Sequence, residues 1–160
     1  MLSSEAQVRW CLDHGADPTR RTAARDQDVA SVAGCWAPLS VIKLLREYGV
    51  DYAKTDTLQK AALGREPGRV EVMTYLIHEA GFPINQVELE FLPDVYMVYA
   101  PNGLGTALHS AVKGQCEETL KFLLENGADH DKADTNGNKP IDLARQRGFK
   151  AGVLLLEQSD

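Results

Sequence analysis

The sequence has few cysteines and no long apolar run. Only three cysteines occur among 160 residues, at positions 11, 35 and 116, which is unlike a disulfide framework and more typical of a reducing compartment. No apolar stretch approaches the ~20 residues that span a bilayer, and the first residues lack the basic and apolar regions of a secretory leader. We therefore expect an intracellular protein, cytoplasmic or nuclear, that does not contact membranes.

The chain also has fewer basic than acidic side chains. The chain has 17 Lys and Arg against 23 Asp and Glu, a formal net charge of −6, which disfavours nucleic acid as a partner. No two of the four histidines are four residues apart, none pairs with a cysteine at ligand spacing, and no Gly-rich phosphate loop is present. We expect no metal, no cofactor and no catalytic group. The length and the 44% hydrophobic content are those of one globular domain.

What the chain does contain is a repeat. An apolar helical run, a glycine and a short polar turn recur, and the glycines lie at positions 15, 49, 81 and 127. The spacings are 34, 32 and 46 residues, so the first two bracket a period of 33 and the third includes an insertion. Leu108 and Ile141, in the start segments of the last two units, are again 33 residues apart. Such a period predicts stacked helical units, because one unit is too thin to bury its own apolar face.

The unit that begins at Thr106 shows the expected local structure. Thr106 suits a helix N-cap, and Leu120 lies on the apolar stripe of a second helix that Gly127 ends. The polar stretch after it contains Asn136-Gly137, a tight-turn signal. Each unit is therefore predicted to be a pair of helices followed by a hairpin.

This unit resembles the ankyrin repeat. Gly-Ala-Asp at 15–17 and at 127–129 matches the family's end motif, and the run from Thr106 to His109 matches its Thr-Pro-Leu-His start, with Ala for Pro. The resemblance implies an all-α solenoid that binds proteins, and it implies that His109 hydrogen-bonds between neighbouring hairpins. In residues 8–18, 84–85 and 103–106 the chain is most similar to small ankyrin-repeat proteins of filamentous fungi.

We expect one domain over residues 1–160. Its approximate units are 1–27, which is partial and lacks a first helix, then 28–56, 57–105, 106–138 and 139–160. The missing first helix suggests an apolar face near Trp10 and Cys11. We expect either a monomer or weak self-association through that face.

The third unit carries an insertion at 83–103. No Lys or Arg occurs between Arg69 and Lys113, and the five acidic residues there give a local formal charge of −5. Residues 87–91 alternate like a strand, Pro93-Asp94 suggests a turn, and residues 95–99 could pair back as a hairpin. One interpretation is an acidic, aromatic binding surface for a basic or amphipathic partner. The alternative is that Phe91, Tyr96 and Tyr99 fold back and seal the array.

The sequence thus favours a non-catalytic protein–protein interaction module. It would bind through its concave hairpin and first-helix face together with the insertion. The residues nominated for partner contact are Arg20, Arg21, Arg25, Tyr52, Lys54, Asp56, His130, Lys132, Asp134, Asn136 and Asn138 in the hairpin connections, and Glu88, Glu90, Asp94, Tyr96 and Tyr99 in the insertion.

The alternative function is small-molecule binding or catalysis in a pocket beside the insertion. That alternative requires convergent polar groups of perturbed acidity in a concave site. The groups that would have to converge are Glu88, Glu90, Asp94, Tyr96 and His109.

Overall fold

The computed structural model describes residues 5–22 and 27–159, so Arg25 lies outside the described residues. The helices in these ranges are α1 (Glu5–Asp13), α2 (Val29–Trp36), α3 (Leu39–Glu47), α4 (Thr57–Ala62), α5 (Arg69–His78), α6 (Pro93–Tyr99), α7 (Ala107–Gly114), α8 (Glu117–Glu125), α9 (Pro140–Gln146) and α10 (Lys150–Glu157). Short 3₁₀ turns form at Tyr52–Lys54 and Ala100–Asn102. The described residues contain no strand, although an isolated antiparallel bridge joins Arg21 and Asp28.

The helices form a stack of antiparallel pairs, which confirms the all-α solenoid. The pairs are α2–α3, α4–α5, α7–α8 and α9–α10, and the first helices α2, α4, α7 and α9 contact one another in that order. Helix α1 packs against α3 and has no first helix of its own among the described residues. The first helices and the hairpins between the pairs therefore line one side of the molecule.

Sequence periodicity explains each pair. In α3 the buried side chains are Val41, Ile42, Leu44 and Leu45, the i, i+3, i+4 pattern of a helix with one apolar face. The chain leaves this helix through Gly49, which has a φ of 92° that a side chain would strain. The remaining helix-ending glycines predicted from the repeat, at 15, 81 and 127, also have positive φ.

Close packing of the first helices requires small residues. A Cβ on Gly34 in α2 would lie 2.4 Å from the carbonyl oxygen of Thr57 in α4. The same requirement returns at Gly114, where a Cβ would lie 2.1 Å from the carbonyl oxygen of Leu63. The backbones of neighbouring first helices are therefore in contact at these two points.

Within the part of the chain that the structure describes, the apolar interior consists of two clusters. The main one runs the length of the stack, from Val8 in α1 to Leu156 in α10. The smaller one lies under the insertion and contains Val87, Leu89 and Leu104. Its partly buried members are Leu92, Val95, Tyr96 and Tyr99.

The hairpin expected in residues 87–99 is wrong. Residues 88–91 form turns. Pro93 is the first residue of helix α6, a position where the fixed φ and the missing N–H of proline are tolerated. Leu89 interrupts the alternating segment because it takes a left-handed φ of 61°. Alternation indicates a strand only where a second strand can pair with it, and the described residues offer none.

Candidate functional site

The insertion is bonded along the first helices. The side chain of Gln59 in α4 donates to the carbonyl of Gln86 at 2.9 Å, and the Gln86 side chain donates to the carbonyl of Thr55 at 3.1 Å. The backbone N–H of Leu89 donates to Oδ1 of Asp56 at 2.9 Å, just before α4 begins. Residues 86–89 thus cover part of the concave face.

Glu88 joins the insertion to two neighbouring first helices. Its Oε1 lies 3.3 Å from Nζ of Lys60 in α4, and its Oε2 lies 3.7 Å from Nζ of Lys113 in α7. The backbone N–H of Glu88 donates to the carbonyl of Gly105 at 3.0 Å. Lys113 also donates to the carbonyl of Gly103 at 3.0 Å, so this one side chain of α7 contacts two separate points of the insertion.

A cavity of about 370 Å³ lies between the insertion and these helices. We call it the insertion pocket. Charged side chains converge on it from three segments of the chain, with apolar groups between them. Its lining residues are Gln27, Asp56, Lys60, Glu88, Leu89, Tyr99, Asn102, Gly103, Leu104 and Lys113.

Asp56 has the most perturbed carboxyl group of the insertion pocket. It is only 4% exposed, and burial raises its pKa from 3.8 to about 6. The hydrogen bond from Leu89 and the charge of Lys60 oppose that rise, whereas the charges of Glu88 and Asp28 add to it. Asp56 therefore changes charge close to neutral pH.

His109 has the structural role that the resemblance implies. Its Nδ1 accepts from the backbone N–H of Thr106 at 3.1 Å, so the ring proton is on Nε2, which lies 3.0 Å from the carbonyl of Asn138 in the next hairpin. Burial lowers its pKa, which favours this neutral form.

The five groups required for the pocket alternative do not converge as a set. Of these, Glu88 alone lines the insertion pocket. Glu90 instead accepts from the backbone N–H of Val87 at 3.0 Å, and Asp94 is exposed at the start of α6. The polar groups that do converge with Glu88 are Asp56, Lys60 and Lys113.

Helix α6 forms the outer face of the insertion. Tyr96 and Tyr99 are partly buried and pack on the small apolar cluster, which holds the helix against the stack. Met97 and Val98 point the other way, and each is 71% exposed. The helix therefore seals the array with one face and presents apolar side chains with the other.

The first two hairpins contact the insertion at its other edge. Arg21 is partly buried, pairs with Asp28 at 2.9 Å and lies 5.3 Å from the ring centre of Phe91. Arg20 and Lys54 are exposed, and the Lys54 ammonium lies 3.6 Å from Asp51 within its own hairpin. Among the nominated residues here, Arg20 and Lys54 are the accessible cations.

Three nominated contact residues belong to the interior instead: Asp56, which is the buried carboxyl described above, Tyr52 and Asp134. Tyr52 is 2% exposed, and its hydroxyl donates to the carbonyl of Ile42 at 2.6 Å. Asp134 is buried, and its Oδ1 accepts the backbone N–H groups of Asn136 and Asn138, both at 2.9 Å. Their prediction as surface contacts is wrong, because an aromatic ring and an Asx-type acceptor were each needed to build a hairpin.

The last hairpin is bonded to both ends of the insertion. Lys132 donates to the carbonyl of Asn85 at 2.9 Å, and the hydroxyl of Thr135 accepts the backbone N–H of Leu104 at 2.8 Å. His130 is partly exposed and Asn136 is exposed. This hairpin and α6 therefore belong to one connected surface, whereas Asn138 is used internally with His109.

Several residues of this region carry little signal in the sequence. Lys60 and Lys113 are 53 positions apart and belong to different units, so only the stacking of α4 and α7 brings them together. The strand pairing predicted for residues 95–99 misses the exposure of Met97 and Val98, although Pro-Asp before an apolar run is also a helix-start signal that identifies α6.

Several large apolar side chains are exposed on the first two helices, α1 and α2. Trp10, Val32 and Trp36 are exposed there, and Trp10 stacks on His14 with ring centres 4.0 Å apart. Cys11 is exposed beside them. Self-association through this end stays a prediction.

Within residues 5–22 and 27–159, no group of three or more His, Cys, Asp or Glu side chains is placed to hold a metal ion. The helices in those ranges include none that is long and apolar enough to cross a membrane.

Comparison with known proteins identifies the repeat type. Residues 108–156 match the family model described as ankyrin repeats in many copies. Potassium channel AKT1 of Arabidopsis thaliana is 40% identical over 78 residues, which cover 46% of this chain and 9% of the channel. The chain therefore spans about a tenth of the length of this curated relative. These matches and the helical stack support an ankyrin-repeat protein, and the fold is an all-α ankyrin-repeat solenoid.

Proposed function

We propose that the chain is a non-catalytic protein-interaction module whose main contact surface is the outer face of α6. Ankyrin repeats generally mediate protein–protein interaction. The observation that carries the proposal is the pair Met97 and Val98, both 71% exposed on a helix that is itself fixed to the stack. Methionine is enriched at protein interfaces, and apolar side chains exposed together often mark them.

The charge around α6 indicates the kind of partner. Glu90 and Asp94 are exposed beside the apolar pair, and the insertion carries no Lys or Arg. A partner segment with apolar side chains flanked by basic ones would match this surface. The acidic groups would steer the encounter, whereas Met97 and Val98 would supply the buried contact.

The insertion is already ordered before any partner binds. Its small apolar cluster and its hydrogen bonds to α4, α7 and the last hairpin hold α6 in place. Binding would therefore cost little backbone ordering. Arg20, Lys54, Lys132, His130 and Asn136 extend the proposed surface along the hairpin tips.

The proposal is tested by affinity capture with three versions of the full chain. We expect the wild type to retain a specific partner. The variant Met97→Asp/Val98→Asp should bind that partner with an affinity about tenfold lower or weaker still, because two charges would be placed in the apolar contact. The charge-matched control is Val32→Asp/Leu154→Asp, which alters two exposed apolar residues on α2 and α10.

The control also separates the competing surfaces. Equal capture by the wild type and the α6 variant would contradict the proposal. Loss in the control alone would move the contact to α2 or α10, near the two ends of the stack.

A further inference from the structure

We propose that the insertion pocket binds a small anionic molecule, with a carboxylate or phosphate group held between the ammonium groups of Lys60 and Lys113. The volume of about 370 Å³ lies in the range of small-molecule sites. Leu89, Leu104 and Tyr99 supply an apolar and aromatic wall for the body of such a ligand. This site is separate from the outer face of α6.

The two lysines have hydrogen-bonding capacity left. An ammonium carries three N–H donors. Lys60 contacts Oε1 of Glu88. Lys113 contacts Oε2 of Glu88 and the carbonyl oxygen of Gly103. Both side chains are partly buried, with 22% and 27% exposure, and both line the pocket.

Glu88 satisfies these ammonium groups only loosely. Its distances of 3.3 and 3.7 Å exceed the 2.7–2.9 Å of tight charge-assisted contacts. The ion pair between Lys139 and Asp131, by comparison, is 2.7 Å long. Because the Glu88 carboxylate contacts both ammonium groups at long distances, a second anionic group has room to bridge Lys60 and Lys113.

The wall of the pocket is held in an uncommon conformation. Leu89 has a left-handed φ of 61°, and its N–H is bonded to the buried carboxyl of Asp56. Such a conformation is uncommon for a residue other than glycine, and it clusters at functional sites. Leu89 follows Glu88 directly, and both residues line the pocket.

Asp56 gives the site a characteristic pH dependence. It is faced by Lys60 from α4, by Glu88 from the insertion and by Asp28 before α2. An anion at the lysines disfavours the charged form of Asp56, whose pKa is already raised to about 6. A ligand that stays anionic should therefore bind more tightly at pH 5.5 than at pH 7.5.

The test is isothermal titration calorimetry of the full chain with benzoate and with inorganic phosphate. We expect saturable binding of at least one probe with a Kd below about 1 mM. Lys60→Gln/Lys113→Gln should weaken it by about tenfold or more, because hydrogen bonds to a charged group are lost. The matched control, Lys43→Gln/Lys121→Gln, removes the same charge from other helices and should leave the Kd unchanged.

Glu88→Gln guards against a variant that merely fails to fold. Removing the competing carboxylate should tighten binding, the opposite sign to the lysine variant. Binding of benzoate alone or of phosphate alone would support the site and distinguish a carboxylate from a phosphate ligand. Two results would overturn the proposal: no saturable binding of either probe to wild type or Glu88→Gln, or equal weakening in the control.

Discussion

His109 and Asp56 are both buried polar residues, but the protein uses them differently. The two ring nitrogens of His109 each have a backbone partner, so the neutral ring connects neighbouring hairpins. Asp56 accepts a hydrogen bond from the N–H of Leu89, which stabilises the charged carboxylate. Burial destabilises that charged form by more, so the pKa of Asp56 is raised. The first residue is part of the repeat framework, and the second belongs to the insertion pocket.

Replacing Asp56 by Asn should change how stability depends on pH. The folded-state pKa of about 6 lies above the ordinary value of 3.8, so Asp56 adds stability at low pH that is lost as pH rises through about 6. Asn cannot ionise but keeps an acceptor for Leu89. Between about pH 4.5 and about pH 7.5, Asp56→Asn should gain about 2 kcal/mol in free energy of unfolding relative to wild type.

Urea denaturation at both pH values measures this difference. Burial also lowers the pKa of His109, so the stability that His109 contributes is lost as pH falls below its ordinary pKa. This contribution is the same in Asp56→Asn and in wild type, so it cancels in the difference between them. A constant difference between Asp56→Asn and wild type across the range would contradict the assignment.

Close contact between the first helices is the main feature at the scale of elements. Gly34→Ala should destabilise the protein by about 1–3 kcal/mol, although alanine favours a helix, because its Cβ would meet the carbonyl oxygen of Thr57 at 2.4 Å. Thermal and urea unfolding measure the loss. Val32→Ala on the exposed side of α2 serves as the control and should change stability by less than about 0.5 kcal/mol. A Gly34→Ala protein as stable as this control would show that α2 and α4 are further apart.

The elements differ in how well the sequence predicts them. The helix pairs follow from a 33-residue period and from glycines such as Gly49 and Gly127, because the apolar faces and helix ends repeat. The insertion has no repeat to guide it. Its segment 87–91 alternates, yet Leu89 turns left-handed to reach Asp56, a residue 33 positions earlier, and no local pattern encodes that contact.

The site was predicted in outline only. The acidic insertion, its aromatic residues and the hairpin tips could be identified from composition and resemblance. The exposure of Met97 could not, because it depends on α6 being a helix whose other face is partly buried. The meeting of Lys60 and Lys113 depends on the stacking of two units, which sequence distance conceals.

At the scale of the whole molecule, the solenoid has two distinct surfaces around one insertion. The outer face of α6 is apolar with acidic neighbours, and the inner side encloses a pocket that contains two lysines. A binding partner on the outer face of α6 and an anion in the insertion pocket would both contact the same short segment, the insertion. The stack supplies the rigid support for both.

Hydrogen exchange of the full chain, alone and with the partner captured by it, tests the central claim most directly. We predict that the partner slows exchange of backbone amides in residues 94–102, with smaller effects at the tips of the hairpins, because α6 would be buried at the interface. Unchanged exchange in residues 94–102, with slowing confined to α1 and α2 or to α9 and α10, would contradict the account.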